Sequence, residues 1–179
     1  RYLNGTISDL YDGMLMKDMD KAIDILKEKI LEDKKIRVIG DYDIDGVNAT
    51  YILLEGLERL GADVDSDIPD RISDGYGLNR HLVERAYEAG VDTLITCDNG
   101  IAAADEIAYG KEMGMTVIVT DHHEIPYREE NGERRVILPP ADAILNPKQY
   151  DCLYPNKNLC GAVVAFKYIT ALYERFDIQ

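Results

Sequence analysis

The fold is decided by the stretch IRVIGDYDIDG, which occupies residues 36–46. Its first five residues are mostly apolar and β-branched, as is typical of a short buried strand. An acidic turn with Asp41, Asp43 and Asp45 follows at once, and a helix pattern starts at Val47. A strand that passes through a short turn into a helix is the first half of a βαβ unit, so the stretch predicts an α/β fold.

The same alternation of strand and helix continues along the rest of the chain. The predicted strands are residues 36–40, 62–68, 93–97, 115–120 and 141–145, and the predicted helices are residues 17–32, 47–60, 79–89, 102–111 and 159–176. This order predicts a mostly parallel β-sheet with helices on both faces, a Rossmann-like arrangement. The polar stretch 127–135 is predicted to be a surface turn or insertion.

Helical spacing also predicts which side chains face the core. The predicted inward-facing residues are Met19, Ile23, Leu26 and Ile30 in the first helix, Val47, Tyr51, Leu54 and Leu57 in the second, Leu82, Val83 and Ala86 in the third, and Val163, Phe166, Ile169 and Leu172 in the last. Asn79 is predicted to cap the start of the third helix, and Gly61 is predicted to end the second.

The composition narrows the class of protein. The 179 residues are enough for one buried core, and no apolar run approaches the roughly 18 residues that a membrane span needs. The three cysteines, Cys97, Cys152 and Cys160, form no CxxC pair. This argues against a disulfide scaffold and a structural zinc site, and it favours a reducing, cytoplasmic compartment. Cys97 is predicted to be a buried small hydrophobe.

The net charge of −14, from 34 acidic and 20 basic residues, is the wrong sign for an ordinary nucleic-acid binder,. A cluster of acids can instead hold divalent cations. Two such ions would reduce the charge only to about −10, so metals do not account for the whole excess. A DNA-binding protein with this composition would need basic surface from elsewhere.

Three polar clusters each follow a predicted strand, and together they define a candidate site. They are residues 41–46, residues 98–100 (Asp-Asn-Gly) and residues 121–123 (Asp-His-His). Ligands bind at the carboxyl ends of the strands in a parallel α/β sheet, so we expect the three clusters to gather on one rim. That rim would carry five carboxylates and two imidazoles.

Such a rim predicts a centre for divalent metals. Carboxylates packed together repel one another, so some must be protonated or bind cations. Oxygen ligands with one or two imidazoles suit Mn²⁺ or Mg²⁺ better than zinc. Two ions about 3.5–4 Å apart are the usual arrangement for the hydrolysis of phosphoesters.

Each cluster alone also has a simpler interpretation. The first opens like an EF-hand loop, but it has Ile52 at the twelfth position, where that loop needs Glu,. It is also compatible with an exposed acidic turn without function, or with the aspartate pair of a haloacid-dehalogenase-like phosphatase. Residues 98–100 alone are compatible with an ordinary turn, and His122-His123 alone with a helix start. His81, near a helix start, is predicted to be structural or solvated.

Taken together, these residues resemble the DHH phosphoesterases, a family identified by the triplet at residues 121–123. Residues 41–46 resemble the first motif of that family, and residues 98–100 resemble the next motif in its RecJ-type exonucleases. Further segments that resemble the RecJ type are residues 18–22, 71–78, 146–147, 159–162 and 165–167. The resemblance extends over nearly the whole chain.

The resemblance implies a role for each residue of the rim. It implies that Asp43, Asp45, Asp98 and His122 are metal ligands, with Asp98 bridging two Mn²⁺ or Mg²⁺ ions. Asp41 is implied as a ligand or as a support for one. His123 would contact the phosphate and stabilise the transition state, and Asp121 would orient an imidazole. Asn99, Gly100 and Arg71 are the implied substrate-binding residues, and a loop salt bridge is the simpler role for Arg71.

The resemblance also implies an activity and a domain organisation. The activity is that of a 5′–3′ exonuclease on single-stranded DNA in repair and recombination. Residues 1–179 would form a single DHH domain truncated at both ends, without a further metal-binding motif and without the DHH-associated domain. We therefore expect the DNA groove to be completed by missing domains and the chain alone to be weakly active or inactive. No membrane partner is implied, and repair proteins stay open as further partners.

Two other functions stay open at this point. The first is a DHH phosphodiesterase for short oligonucleotides, cyclic dinucleotides or pyrophosphate, against which residues 71–78 argue by resemblance alone. The second is a catalytically inactive scaffold associated with DNA. Loss of metal ligands would be the mark of a scaffold, and Asp43, Asp45, Asp98 and His122 are all present.

Overall fold

The computed structural model describes Thr6 and residues 9–70, 77–130 and 132–178. The helices are α1 (Met19–Leu31), α2 (Ile44–Glu58), α3 (Arg80–Glu88), α4 (Ala104–Glu112) and α5 (Gly161–Arg175). The strands are β1 (Ile36–Ile39), β2 (Val64–Asp67), β3 (Thr93–Cys97), β4 (Thr116–Thr120), β5 (Tyr127–Glu130), β6 (Glu133–Val136) and β7 (Ala143–Leu145). The predicted order is confirmed for the five helices and for the strands of the central sheet, whereas β5 and β6 were not predicted as strands.

The central sheet has the strand order β2-β1-β3-β4-β7, and every pair of neighbours within it is parallel. The apolar core on one face of the sheet joins α1, α2 and α5, and the core on the other face joins α3 and α4. The predicted parallel sheet with helices on both faces is therefore confirmed.

The strand order reverses direction between β1 and β3, and this topological switch positions the site. β1 pairs with β2 on one side and with β3 on the other. The crevice outside the carboxyl ends of strands at such a reversal is where ligands bind in open α/β sheets. Residues 41–46 follow β1 after Gly40, and residues 98–100 directly follow β3.

The predicted inner face of α2 is partly wrong. Val47 and Tyr51 are 46% and 62% exposed, whereas Ala49, Leu53 and Leu57 are fully buried. The helix packs closely against α5 through small residues, and a side chain at Gly56 would lie 2.6 Å from Ile169. Periodicity weighted by large apolar residues misses a face that combines two leucines with glycine, alanine and threonine.

The predicted inner face of α5 is also partly wrong. Phe166 is 41% exposed, while Ile169 and Leu172 are buried as predicted. The buried side of the helix includes Lys167 and Tyr168, which an apolar pattern does not select. The Tyr168 hydroxyl donates a hydrogen bond to the Ala22 carbonyl at 2.7 Å, so its burial leaves no donor unsatisfied,.

Other local predictions are confirmed. The predicted faces of α1 and α3 are buried. The Asn79 side chain accepts a hydrogen bond from the Leu82 amide at 3.0 Å and caps α3,. Cys97 is buried, and burial raises the pKa of its thiol to about 12. β5 and β6, which lie in the segment predicted to be a surface turn or insertion, pair antiparallel, and their residues are exposed.

The helices of the described ranges lack the combination of length and apolar character that a membrane crossing needs.

Candidate metal centre

The three polar clusters meet at one rim of the sheet, and Asp98 lies where they join. Potential metal ligands form two groups, Asp41 with Asp43 and Asp98, and Asp98 with His122 and His123. Within each group, one ligand atom from each residue lies within 4.8 Å of the others. The two groups therefore share a single carboxylate.

The first cluster is shaped by the start of α2. Asp43 caps this helix, and its Oδ1 accepts a hydrogen bond from the Gly46 amide at 2.9 Å. The glycine lies against Asp41, because a β-carbon at Gly46 would be 2.6 Å from the Asp41 carbonyl oxygen. The final Gly of the acidic motif thus lets the helix begin directly behind Asp41.

Asp41 is a fully buried carboxylate with unsatisfied oxygens. Neither side-chain oxygen accepts a hydrogen bond of normal geometry from a described residue. Burial raises the pKa of Asp41, and the nearby charge of Asp43 adds to this, while the backbone amides of Tyr42 and Gly77 offset part of it. An ionised group in this place needs a positive partner.

Asp98 is held at the centre of the rim by an unusual backbone. Its φ of 59° is left-handed, which is uncommon for a residue other than glycine,. Its side chain is almost fully buried, and burial together with the charges of Asp45 and Asp43 raises its pKa to about 8. Nε2 of His122 lies 2.9 Å from Oδ1 of Asp98 without forming a hydrogen bond.

Asp121 organises the double histidine. Its Oδ1 accepts hydrogen bonds from the amides of His122 at 2.7 Å and His123 at 3.1 Å, and it lies 2.7 Å from Nδ1 of His123. Its Oδ2 accepts from the Ile101 amide at 2.9 Å. Burial opposes ionisation of Asp121, but these hydrogen bonds outweigh it and lower the pKa. The same contact raises the pKa of His123.

Asp45 differs from the other aspartates of the rim because its side chain is held by the start of α5. Its two oxygens accept hydrogen bonds from the first amides of α5, Gly161 at 2.7 Å and Ala162 at 2.8 Å. Nε2 of His122 is 3.5 Å from its Oδ2. Asp45 therefore lies at the edge of the rim and also caps α5, a helix that is far away in sequence but adjacent in space. Each of its oxygens retains a second lone pair for a cation.

Of the predicted substrate-binding residues, Asn99 and Gly100 lie among the described residues of the rim, whereas Arg71 does not. The Asn99 amide nitrogen donates to the carbonyls of Ile39 at 3.2 Å and Cys97 at 2.9 Å, so it ties β1 to β3. Its Oδ1 is buried without a hydrogen-bond partner in the described ranges. Gly100 follows at the rim with a φ of 104°. Arg71 lies outside the described residues, as does most of the segment 71–78.

The rim fits a divalent cation on the chemistry of its donors. Buried oxygens of Asp41 and Asp98 that lack hydrogen-bond partners in the described chain face a carboxylate-rich cluster. Their raised pKa values show that negative charge is disfavoured there without compensation,. A set of carboxylate and imidazole ligands matches the preferences of Mn²⁺, and it can also bind Mg²⁺.

Sequence reasoning missed three contacts that support the rim. The α5 amides hold Asp45, the Ile101 amide holds Asp121, and the Asn146 side chain donates to the His123 carbonyl at 3.0 Å. The first two use backbone groups, which no side-chain pattern reveals. Asn146 directly follows the last strand of the sheet, and its place at a carboxyl end was the available signal.

The fold and the rim define a class, an α/β domain whose strand ends carry an acidic and imidazole-rich centre suited to divalent metals. A sequence model of the DHH family, N-terminal domain, matches residues 35–179. The chain belongs to the DHH family.

The chain is also similar to individual members. It is 44% identical over 171 residues to the single-stranded-DNA-specific exonuclease RecJ of Bacillus subtilis, covering 96% of this chain and 21% of that protein. It is 38% identical over 175 residues to RecJ of Haemophilus influenzae, covering 97% of this chain and 29% of that protein. The chain spans less than a third of the length of these relatives.

Solved structures show the same likeness in three dimensions. An exonuclease RecJ bound to manganese superposes with a TM-score of 0.79 at 37% identity, covering 92% of this chain and 39% of that one. RecJ of Thermus thermophilus in complex with Mn²⁺ gives 0.68 at 34% identity, covering 92% and 22%. Its complex with Mg²⁺ gives 0.54 at 28% identity, covering 92% and 18%.

Proposed function

We propose that this chain is the metal-binding domain of a RecJ-type exonuclease, a phosphodiesterase that hydrolyses single-stranded DNA from the 5′ end in repair and recombination. The observation that carries the proposal is the sharing of Asp98 between an all-carboxylate group and a group with two imidazoles. Two ions that share a carboxylate suit the hydrolysis of phosphoesters. The similarity to RecJ proteins over nearly the whole chain supports the substrate.

The proposed ligands are Asp41, Asp43 and Asp98 for one ion, and Asp98, Asp45 and His122 for the other. When bound, Mn²⁺ or Mg²⁺ would stabilise charge on the phosphate and lower the pKa of a water molecule. The crystal structures of RecJ relatives with Mn²⁺ or Mg²⁺ support this choice of metal.

His123 has a different proposed role. Its Nδ1 lies against buried Asp121, and this contact favours the protonated, cationic ring. The side chain is 42% exposed, so a substrate can reach it. A cationic donor at this place would bind a phosphate oxygen and stabilise charge that develops in the transition state. Asp121 would orient that ring.

The proposed substrate is a strand that the described residues bind only in part. The net charge of −14 disfavours strong binding of DNA by these residues alone,. We therefore propose that a DNA-binding groove is shared with further domains and that residues 1–179 contribute the catalytic centre. Asn99, Gly100 and Arg71 are the proposed substrate contacts, and the cytoplasm is the proposed location.

The first test is a titration of Mn²⁺ into this chain by isothermal calorimetry and electron paramagnetic resonance. We expect saturable, stoichiometric binding that Asp98→Asn abolishes, because that change weakens both ligand groups. Glu112→Gln is the matched control, since Glu112 is an exposed acid at the far end of α4. Absence of saturable binding would favour an inactive scaffold and contradict the proposal.

The second test concerns the substrate and uses a full-length RecJ-type protein that carries this domain. Long single strands labelled at either end, dinucleotides and pyrophosphate are compared with Mn²⁺ present. We expect long strands to be degraded from the 5′ end and the short substrates to be poor. A preference for dinucleotides or pyrophosphate would support the alternative DHH phosphodiesterase.

A further inference from the structure

Gly161 is the first residue of α5, and it lies close to two aspartates of the proposed metal centre, Asp45 and Asp98. Cys160, at the N-cap position, contributes no side-chain hydrogen bond to the helix. The cap is supplied instead by Asp45, whose oxygens accept from the amides of Gly161 and Ala162 at 2.7 and 2.8 Å. A carboxylate at a helix N-terminus is favourable because the amides there carry partial positive charge.

The second contact is steric and involves Asp98. A β-carbon at Gly161 would lie 2.6 Å from Oδ1 of Asp98, 2.7 Å from its Cβ and 2.8 Å from its Cγ. Real β-carbons do not approach other atoms this closely, so either the helix or the carboxylate would have to move. The Asp98 backbone is already in the left-handed region, with a φ of 59°, which restricts how it can yield,.

Both contacts converge on atoms that face His122. Its Nε2 is 2.9 Å from Oδ1 of Asp98 and 3.5 Å from Oδ2 of Asp45. The Asp98 oxygen near His122 is the same oxygen that a side chain at Gly161 would strike. The start of α5 therefore lies against the same carboxylate oxygens that lie nearest the imidazole.

We propose that Gly161 is a positioning residue of the metal centre, because its lack of a side chain lets α5 hold Asp45 through its amides while it lies directly behind Asp98. The inference rests on the proposed metal-binding function. The helix fixes the separation of two carboxylates that come from different strand ends. Any side chain at Gly161 enlarges that separation and weakens the binding of cations.

The test compares Gly161→Ala with Gly56→Ala. Gly56 lies on α2 where that helix packs against α5, and the three atoms nearest to a β-carbon there all belong to Ile169, at 2.6 Å or more, rather than to an aspartate of the centre. Both variants are expected to lose thermal stability in EDTA. Mn²⁺ affinity of the folded protein should fall about 10- to 100-fold for Gly161→Ala alone. The electron paramagnetic resonance spectrum of bound Mn²⁺ should also change only in that variant.

The outcomes separate this inference from the proposed function. If the wild type binds no Mn²⁺, the proposed function fails, whatever the variants do. If the wild type binds and Gly161→Ala binds equally well, or if Gly56→Ala loses as much affinity, the positioning role is wrong and the proposed function stands.

A second pair of variants covers the case in which Gly161→Ala does not fold. Asp98→Gly removes the side chain that a β-carbon at position 161 would strike, and glycine accepts the left-handed backbone at position 98,. We expect the double variant Asp98→Gly, Gly161→Ala to be folded and nearly as stable as Asp98→Gly alone. A double variant that stays unfolded would show that contact with Asp98 is not the reason for glycine.

Discussion

Asp121 and His123 form a close pair in which one oxygen of the buried Asp121 carboxylate, Oδ1, lies 2.7 Å from Nδ1 of the ring and 3.1 Å from the backbone amide of the same histidine. The contact lowers the pKa of Asp121 and raises the pKa of His123. A neutral amide at residue 121 would keep the shape of the pair and remove the charge.

In Asp121→Asn, we expect the pKa of His123 to fall, because the neighbouring negative charge is lost. The measurement is a titration of the metal-free protein followed by NMR of the histidine ring protons. Exposed His81 is the internal control and should be unchanged. An unaltered pKa of His123 would show that another group raises it.

The Asp121→Asn variant should also change how the stability of the metal-free protein depends on pH. The raised pKa of His123 contributes stability that is fully present below the ordinary value of about 6.5 and is lost as pH rises through the higher folded value. The lowered pKa of Asp121 contributes stability above about 4 that is lost in acid. We expect Asp121→Asn to destabilise the metal-free protein more at pH 6 than at pH 9, by chemical denaturation.

Asp98→Asn tests the electrostatic cost of the central carboxylate. Its pKa of about 8 lies above the ordinary value of 3.8, so the native state binds more protons than the unfolded chain between these limits. Stability from this group is therefore lost as pH rises from about 4 to about 8, with a slope of at most about 1.4 kcal/mol per pH unit. As the pH rises over that range, we expect the metal-free variant to become more stable relative to the metal-free wild type.

Denaturation curves in EDTA at several pH values measure this difference, and subtracting the unfolding free energies of the two proteins cancels the effect of acids that do not interact with Asp98. Mn²⁺ should reverse the order at pH 8, since it would stabilise the wild type alone. A difference that does not change with pH would contradict the raised pKa.

Two substitutions at Asp43 separate its structural role from its proposed role as a ligand. Asp43→Asn keeps an oxygen that can accept from the Gly46 amide, whereas Asp43→Ala removes the cap. We expect only the alanine variant to lose about 1 kcal/mol of stability without metal, by chemical denaturation. Both should bind Mn²⁺ more weakly by calorimetry, and normal affinity in both would exclude Asp43 as a ligand.

Asp98→Ala, placed in a full-length RecJ-type protein that carries this domain, should reduce turnover by orders of magnitude, because it removes the ligand proposed to be shared by both ions. Single-turnover assays on a labelled single strand measure the effect. Glu112→Gln should leave the rate unchanged. Near-normal turnover of Asp98→Ala would refute the bridging role.

The sheet and the rim could be predicted from the sequence because both follow from local patterns joined by topology. β3 is a fully buried strand of five residues with the predicted bounds, 93–97. The carboxyl ends of parallel strands share an edge, so Asp98 and His122 were expected to meet although 24 positions separate them,. No tertiary information was needed for that step.

The remaining features depend on distances that patterns do not contain. Nothing in the order of residues shows that Asp45 would accept from amides more than a hundred positions away. The sequence pattern also does not reveal that Val47 and Tyr51 are exposed, because α5 approaches α2 where the side chains of α2 are small. Close approach selects glycine and alanine, which apolar periodicity weights little.

The sharing of Asp98 by two groups of ligands has a consequence for the handling of the protein. Strand ends that only the native chain assembles would bind cations far better than the unfolded chain, so the free energy of binding would add to the free energy of unfolding,. Chelating buffers would then lower the stability of this domain, and preparations made with and without EDTA would differ in their resistance to unfolding.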